Sequence, residues 1–204
     1  MNKKQYFLKI FKAAEKKYSN SSKRLAAEGW FLDWQVLIST IMSAQSRDET
    51  TIPIAESLFK KYPSLESLAK AHYPEVLNLL NSMNYNKTKS KNIIAAAQYL
   101  TKNHNGKVPD TIYSLIKIPG VGRKTANLIL SEVHNQDTIT VDTHVHRISN
   151  VIGLVKTKNP GQTEIELKKI APKEYWRKIN KLFVLWGKNV SGKDKNKLLN
   201  KLNE

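Results

Sequence analysis

Apolar residues recur every three or four positions along most of the chain, the spacing that places them on one face of an α-helix. Residues 4–17 show this spacing first, with Phe7, Ile10 and Phe11 on the apolar side. Residues 34–43 are mostly apolar all round, which predicts a buried helix. The same spacing continues over residues 54–61, 65–71, 74–80, 90–102, 123–133, 162–170 and 174–188. We therefore predict an all-α fold.

The departures from this pattern predict helix ends rather than strands. Residues 138–141 form the only run of β-branched side chains, and the run leads directly into a favourable helix start at Asp142. Asp110 is expected to cap a helix over residues 111–117, which Pro119 ends. No alternating pattern of apolar and polar residues predicts a sheet.

The charge of the chain favours a polyanionic partner. Lysine and arginine number 34 against 17 acidic residues, so the formal net charge is 34 − 17 = +17. A bias toward lysine and asparagine that only keeps the surface solvated is the alternative. Membrane surfaces are anionic too, but no basic amphipathic helix carries an aromatic face apart from the core. No apolar run approaches the ~18 residues that span a bilayer, and no apolar signal segment follows the start.

Cysteine usage excludes several kinds of chemistry. The chain contains 0 cysteines. Disulfides, thiolate catalysis and an iron–sulfur cluster held by cysteine are therefore excluded. His144 and His146 are two residues apart, which puts them on different faces of a helix, and they have no carboxylate or cysteine partner. We therefore predict no metal and no cofactor.

The chain ends in a basic tail, residues 192–204. Leu198, Leu199 and Leu202 support one or two marginal helical turns, and so few apolar residues predict that the fold does not need this segment. Its lysines are candidates for contacts with phosphate, and a solvated tail is the alternative. These lysines are Lys193, Lys195, Lys197 and Lys201.

Residues 115–127 read as a helix, a tight turn and a second helix. Gly120 and Gly122 can take positive φ, and Val121 between them is expected to pack inward. Their amides and the free N–H groups of the next helix would converge on one point, which suits a phosphate oxygen. An ordinary Pro-Gly connection is the alternative. The second helix opens with Arg123, Lys124 and Thr125.

This segment closely resembles the helix-hairpin-helix of the endonuclease III family of DNA glycosylases. The resemblance covers about residues 30 to 190 and includes the segments 37–48, 104–109, 141–147, 159–172 and 182–187. It implies a two-lobed helix-hairpin-helix glycosylase fold with DNA in the cleft. Residues 26–136 would form a helical barrel domain that ends in the hairpin. Residues 1–25 and 137–204 would form a second helical domain without the iron–sulfur cluster.

The resemblance implies that Lys124 is the nucleophile. A lysine amine must be neutral to attack, and partial burial at the positive end of a helix disfavours its charged form. The amine would attack the anomeric carbon of the sugar, expel the base and form a Schiff base. The resemblance also implies that the Asp142 carboxylate stabilises the cationic sugar. Asp142 is also a favoured helix cap, and both roles can hold.

A base in a duplex must leave the stack before an enzyme can act on it. Gln45 matches the family's glutamine that enters the duplex beside the orphaned base. Tyr85, in the segment 84–89, stands where the family has an apolar wedge, and a half-buried loop aromatic is the alternative. The resemblance further suggests that His144 supports the site or contacts phosphate.

Two features depart from the family pattern. The match continues to Gly187, Ser191 falls about where the first cysteine of the cluster would be, and no cysteine follows. Ile116 stands about where the family often has an acidic residue that reads the damaged base, which puts the specificity for oxidised pyrimidines in question.

Together these features predict a base excision repair glycosylase with abasic-site lyase activity. Its partner would be double-stranded DNA with damaged bases or abasic sites. We expect a monomer in the cytoplasm of a prokaryote, associated with the nucleoid. A monofunctional glycosylase for alkylated or mismatched bases is the first alternative. A non-catalytic DNA-binding module is the second alternative. Asp142 argues against it, because a carboxylate does not help to bind phosphate.

Overall fold

The computed structural model describes residues 1–203, and within them it contains helices and loops but no strand. The prediction of an all-α fold is confirmed. None of the helices within these residues is long and apolar enough to cross a membrane. The helices are α1 (Lys3–Tyr18), α2 (Asp33–Ser43), α3 (Asp48–Lys61), α4 (Leu65–Ala69), α5 (Tyr73–Leu79), α6 (Asn86–His104), α7 (Ile112–Leu115), α8 (Arg123–Glu132), α9 (Thr143–Val151), α10 (Pro160–Ile170), a 3₁₀ turn (Lys173–Tyr175), α11 (Trp176–Asn189) and α12 (Lys195–Asn203).

The chain forms two compact units. The first, residues 24–135, is built around α2 and α6, which pack against each other. Leu37, Ile38 and Met42 on α2 are fully buried because α3, α6 and α8 cover the helix on several sides. The prediction of a buried helix over residues 34–43 is therefore confirmed. α6 supplies the longest buried face of this unit, and its N-terminal end carries the loop with Tyr85.

The second unit combines residues 1–23 with residues 136–204. α1 packs against α10, α11 and α12, while α9 packs against α10 and α11. Phe7, Phe11, Phe183 and Trp186 are fully buried at its centre. The β-branched segment before α9 forms no strand and instead contributes Ile139, which is also fully buried.

The structure corrects three predicted helix boundaries. Thr111, not Asp110, caps α7, since the Thr111 hydroxyl accepts from the backbone N–H of Ser114 at 3.3 Å and α7 ends at Leu115. Asp110 lies one residue too early for that bond. α3 begins at Asp48 and runs through Pro53, although the spacing predicts a start at residue 54. Acidic side chains in the first turn of α3 face the positive end of the helix and favour this earlier start.

The basic tail is a further correction. Nine of its residues form α12, whose start is capped by Asp194, the side chain of which accepts from the backbone N–H of Lys197 at 3.0 Å. Leu198 is fully buried and Leu202 is 9% exposed. Two leucines one turn apart fix this short helix on the core of its unit, so we expect, contrary to the prediction from the sequence, that the fold needs the tail.

Candidate nucleic-acid interface and catalytic residues

The turn between α7 and α8 depends on Gly120. Its φ is +82°, a conformation that side chains with a Cβ rarely adopt. A Cβ on Gly120 would lie 2.9 Å from Ile41 Cγ2 and 3.0 Å from Asn92 Cβ, so space as well as conformation requires glycine. Val121 is 7% exposed, which confirms that it packs inward. The turn is therefore fixed to the body of its unit on both sides.

Gly122 differs from Gly120. Its φ is −97° and its ψ is 179°, so it does not adopt the positive φ that glycine permits. It is the residue before α8 in extended conformation, and an added Cβ would meet nothing within 4 Å. Gly122 has no side chain to cap α8, and the first N–H groups of a helix point toward its start. Open space, backbone donors and the positive helix end together suit an anion.

Lys124 is exposed on the first turn of α8. The predicted partial burial is wrong, because the inward face of α8 is occupied by Ala126, Ile129 and Leu130. Arg123 is exposed beside Lys124, whereas Thr125 is 7% exposed and lies against the unit. The amine of Lys124 is thus available to a molecule that docks on the hairpin.

Asp142 caps α9. One carboxylate oxygen, Oδ1, accepts from the backbone N–H of Val145 at 2.8 Å, and the side chain is half-buried. The capping role is confirmed. It occupies one oxygen of a carboxylate that has two, so capping is compatible with a second role.

The ring of His144 fixes the start of α9 against α11. It lies directly over Gly187, where any Cβ would collide with the imidazole. Burial lowers the pKa of His144 below its ordinary value, and the charges of Arg147 and Lys188 lower it further, while Asp142 acts in the opposite direction. The lowered pKa disfavours the charged form of the ring. The predicted contact of His144 with phosphate stays a prediction.

Gln45 and Tyr85 lie on neighbouring loops of the unit 24–135. Both have positive φ, 53° and 58°, which is uncommon for residues other than glycine. The amide of Asn84 donates to the backbone carbonyl of Gln45 at 3.2 Å and so joins the two loops. Tyr85 is 64% exposed, so the alternative of a half-buried loop aromatic is wrong.

Sequence reasoning missed one residue beside these loops, Lys89. It lies on α6 and is 4% exposed, and its ammonium donates to the hydroxyl of Ser46 at 2.6 Å. The spacing contained a signal. Lys89 precedes the buried residues Ile93, Ala97 and Leu100 by whole helical turns, so it lies on the apolar face of α6.

Arg147 was also missed. Its guanidinium donates to the carbonyl oxygens of Gly187 at 3.2 Å, Val190 at 2.9 Å and Gly192 at 2.6 Å. These carbonyls belong to the end of α11 and to the loop after it. By resemblance, the iron–sulfur cluster of the endonuclease III family would begin in this loop. The residues here do not fit an iron–sulfur cluster, because the chain has 0 cysteines and the loop is held by Arg147.

The predicted site residues are divided between the two units. Lys124, the hairpin, Gln45 and Tyr85 belong to residues 24–135, whereas Asp142 and His144 belong to the other unit. Within residues 1–203, no group of three His, Asp or Glu side chains could hold a metal. The prediction that Lys124 faces Asp142 stays a prediction.

Comparison with known families gives a match over residues 38–173 to the HhH-GPD superfamily of base excision DNA repair proteins. The matched range contains Gln45, Tyr85, the hairpin and Asp142.

Two curated relatives are named endonuclease III. The protein from Thermotoga maritima is 40% identical over 157 residues, which are 77% of this chain and 74% of the relative. The protein from Buchnera aphidicola (subspecies Schizaphis graminum) is 37% identical over 190 residues, 93% of this chain and 89% of the relative. Among solved structures, a trapped covalent intermediate of endonuclease III with DNA superposes with a TM-score of 0.86 at 28% identity. That match covers 95% of this chain and 91% of the other.

Proposed function

This chain belongs to the HhH-GPD superfamily of base excision DNA repair proteins, and on that premise we propose that it is a bifunctional DNA glycosylase and abasic-site lyase of the endonuclease III type. Its relatives at 33–40% identity carry the name endonuclease III. The structural relative forms a covalent intermediate with DNA. The partner of this chain is DNA.

The observation that carries the chemistry is the exposed amine of Lys124 on the helix that the hairpin opens. A phosphate at the hairpin, bound by backbone N–H groups, holds the strand with its sugar within reach of that amine. The neutral amine attacks the anomeric carbon of the flipped nucleotide, and the bond to the base breaks with its electrons on the base.

The remaining steps follow from the amine that is now bonded to the sugar. The sugar ring opens to give a protonated Schiff base with Lys124. This cation acidifies the proton on the neighbouring sugar carbon, and its removal expels the 3′ phosphate by β-elimination. The second oxygen of Asp142 stabilises the positive charge that builds on the sugar as the base leaves, and it accepts the proton of the attacking amine.

Borohydride trapping on abasic duplex DNA tests this function. Reduction converts a Schiff base into a stable amine, so the proposal expects a covalent protein–DNA species after borohydride treatment. Neither alternative, a monofunctional glycosylase or a DNA-binding module, forms a Schiff base. Absence of the adduct with protein that binds the same DNA would therefore reject the lyase.

We propose oxidised pyrimidines as the lesions, in keeping with the name of the relatives. Ile116 lies just after α7 and is 48% exposed. Its apolar side chain cannot form a hydrogen bond with a base, whereas the family often has an acidic side chain here, so the choice of lesion needs a direct test. Base release should be measured on matched duplexes with an oxidised pyrimidine, an alkylated purine or a mismatched thymine. Fastest release of the alkylated or mismatched base would favour the monofunctional alternative.

Replacing Asp142 with asparagine should slow base excision about 100-fold or more, because a negative charge beside the developing cation is lost. Asparagine is as good a helix cap as aspartate, so α9 and the fold should be retained. Lyase action on a ready-made abasic site should fall less, since no base has to depart. Single-turnover rates on both substrates measure the difference, and equal losses would contradict this division of roles.

The basic tail is a second proposed DNA contact. Lys193, Lys195 and Lys197 are exposed on α12 or just before it. Changing the four tail lysines to glutamine should lower the slope of log affinity against log salt by about 0.9 for each lost phosphate contact. Binding isotherms across a salt series measure it. Glutamine at four exposed α1 positions, Lys4, Lys9, Lys12 and Lys16, is the matched control, and an unchanged slope in the tail variant would assign DNA binding elsewhere.

A monomer in the cytoplasm of a prokaryote, associated with the nucleoid, completes the proposal. Bacterial relatives support a prokaryotic source. Sedimentation of the free protein tests the monomer.

A further inference from the structure

Lys89 is the only buried lysine within residues 1–203. Removing an ammonium from water costs several kcal/mol unless a partner compensates it. The partner here is only the hydroxyl of Ser46, and no ion pair joins Lys89 to a carboxylate of the described residues. Burial accordingly lowers the pKa of Lys89 to about 8. An apolar side chain would fill the same place on α6 more favourably, so stability does not explain a lysine there.

The position of this bond gives it a consequence at the surface. Ser46 directly follows Gln45, and Lys89 lies one turn after Tyr85, whose carbonyl accepts from the backbone N–H of Lys89 at 2.9 Å. The bond from Asn84 to the Gln45 carbonyl crosses the same gap. Two hydrogen bonds therefore join the two loops. One links residues 39 positions apart along the chain, and the other links residues 43 positions apart.

Both loops hold a residue in the left-handed region, which costs about 1–3 kcal/mol for a residue with a side chain. Such conformations persist only where the surroundings impose them. The Lys89–Ser46 bond fixes the loop of Gln45 from inside the unit, while the side chains of Gln45 and Tyr85 stay exposed. The buried bond thus sets the spacing between two exposed side chains.

We propose that Lys89 is a positioning residue that holds Gln45 and Tyr85 at a fixed spacing, so that both enter the duplex together as the target base leaves the stack. This proposal rests on the proposed glycosylase function. It assigns the buried ammonium to the extrusion of the base and not to the chemistry on the sugar. Lys89 touches neither base nor sugar and acts through Ser46.

The test compares Lys89→Met with Lys102→Met. Both remove one lysine from α6, but Lys102 is exposed and lies 13 residues further along, about 20 Å at the rise of a helix. Three quantities are measured for each variant. They are the thermal midpoint, the rate of base excision from duplex DNA, and the lyase rate on an abasic site in single-stranded DNA, where no base has to be extruded.

Lys89→Met should lower excision from duplex DNA by about 10- to 100-fold, the effect of a small misplacement of positioning groups. The lyase rate on single-stranded DNA and the thermal midpoint should stay at or above the wild-type values. The fluorescence of 2-aminopurine beside the lesion, which rises when stacking is lost, should increase less than with wild type. Lys102→Met should match wild type in every measurement.

Other outcomes overturn the proposal. Normal excision by Lys89→Met would show that Lys89 has no role in extrusion. A lowered thermal midpoint, or equal losses of the excision and lyase rates, would show that its role is structural. A double-mutant cycle with Ser46→Ala adds an independent criterion, since Lys89→Met should add nothing once Ser46 is gone. Additive losses would show that Lys89 does not act through Ser46. Failure of the wild-type protein to form any trapped adduct would reject the proposed function instead.

Discussion

Replacing Lys124 with alanine should abolish borohydride trapping and lower strand cleavage at abasic sites by at least about 1000-fold, as expected when a nucleophile is removed. DNA binding should largely remain. Backbone N–H groups around Gly120 and Gly122 and the many other basic residues still contact phosphate. Gel analysis of trapped adducts and binding isotherms on the same abasic duplex measure both parts of the expectation.

Two further variants separate the amine from its charge. Lys124→Arg keeps the positive charge on the first turn of α8 but cannot form a Schiff base, so it should bind like wild type and trap nothing. Lys60→Ala removes an exposed lysine from the last turn of α3 and should behave like wild type. Cleavage of abasic DNA at the normal rate by Lys124→Ala would show that another group is the nucleophile.

Deleting residues 192–204 should unfold the unit made of residues 1–23 and 136–204. The deletion removes Leu198 and Leu202 from its core and exposes the indole of Trp186, whose N–H donates to the Leu198 carbonyl at 3.2 Å. It also removes the Gly192 carbonyl, one of three that the Arg147 guanidinium contacts. Each lost leucine costs about 2–5 kcal/mol, and a domain is stable by only about 5–15 kcal/mol in total.

Point substitutions make the cause of that loss measurable. Leu198→Ala should lower the free energy of unfolding by about 2–5 kcal/mol. Asn200→Ala, an exposed position on the same helix, should change it by less than about 0.5 kcal/mol. Urea unfolding of the two variants and of the truncated chain gives these values. A truncated chain that unfolds like wild type would mean that α12 is dispensable and that the unit is closed by Arg147 and the end of α11.

The closure of this unit also explains how the chain manages without the family's cluster. A cluster held by four cysteines would fix the segment after α11 through covalent bonds to iron. In this chain a guanidinium bound to three backbone carbonyls and a short helix with two buried leucines fix the same segment. Truncation after residue 191 removes this helix together with one of the three carbonyls, which is why we expect it to be severe.

Several features of the site were predictable because they depend on neighbours along the chain. The inward packing of Val121, the left-handed conformation of Gly120 and the cap at Asp142 all follow from a few consecutive residues. For Gly122 the sequence permitted a positive φ without requiring one, and the backbone there is extended. The Asp110 cap was wrong by one residue, which is within the ordinary uncertainty of helix ends.

Features that depend on distant residues were not predictable. Lys124 was expected to be partly buried, but its exposure depends on which face of α8 packs against α2 and α7. The tail looked dispensable because its few leucines give a weak pattern, and only the core that they meet makes them important. The helical spacing places Lys89 on the apolar face of α6, but only the tertiary structure shows its partner, Ser46, which lies 43 residues away.

The sequence by itself determined the helices, the hairpin and the family, because a repeat of 3.6 residues and a glycine turn are local properties. The tertiary structure alone decided that Lys124 is exposed, that Lys89 is buried beneath the two loops, and how the C-terminal segment is fixed. Burial is a property of what packs against a residue, and the packing partners of Lys89 and Leu198 lie far away along the chain. The solvation of a charged side chain such as that of Lys89 is therefore fixed only when distant segments of the chain pack together.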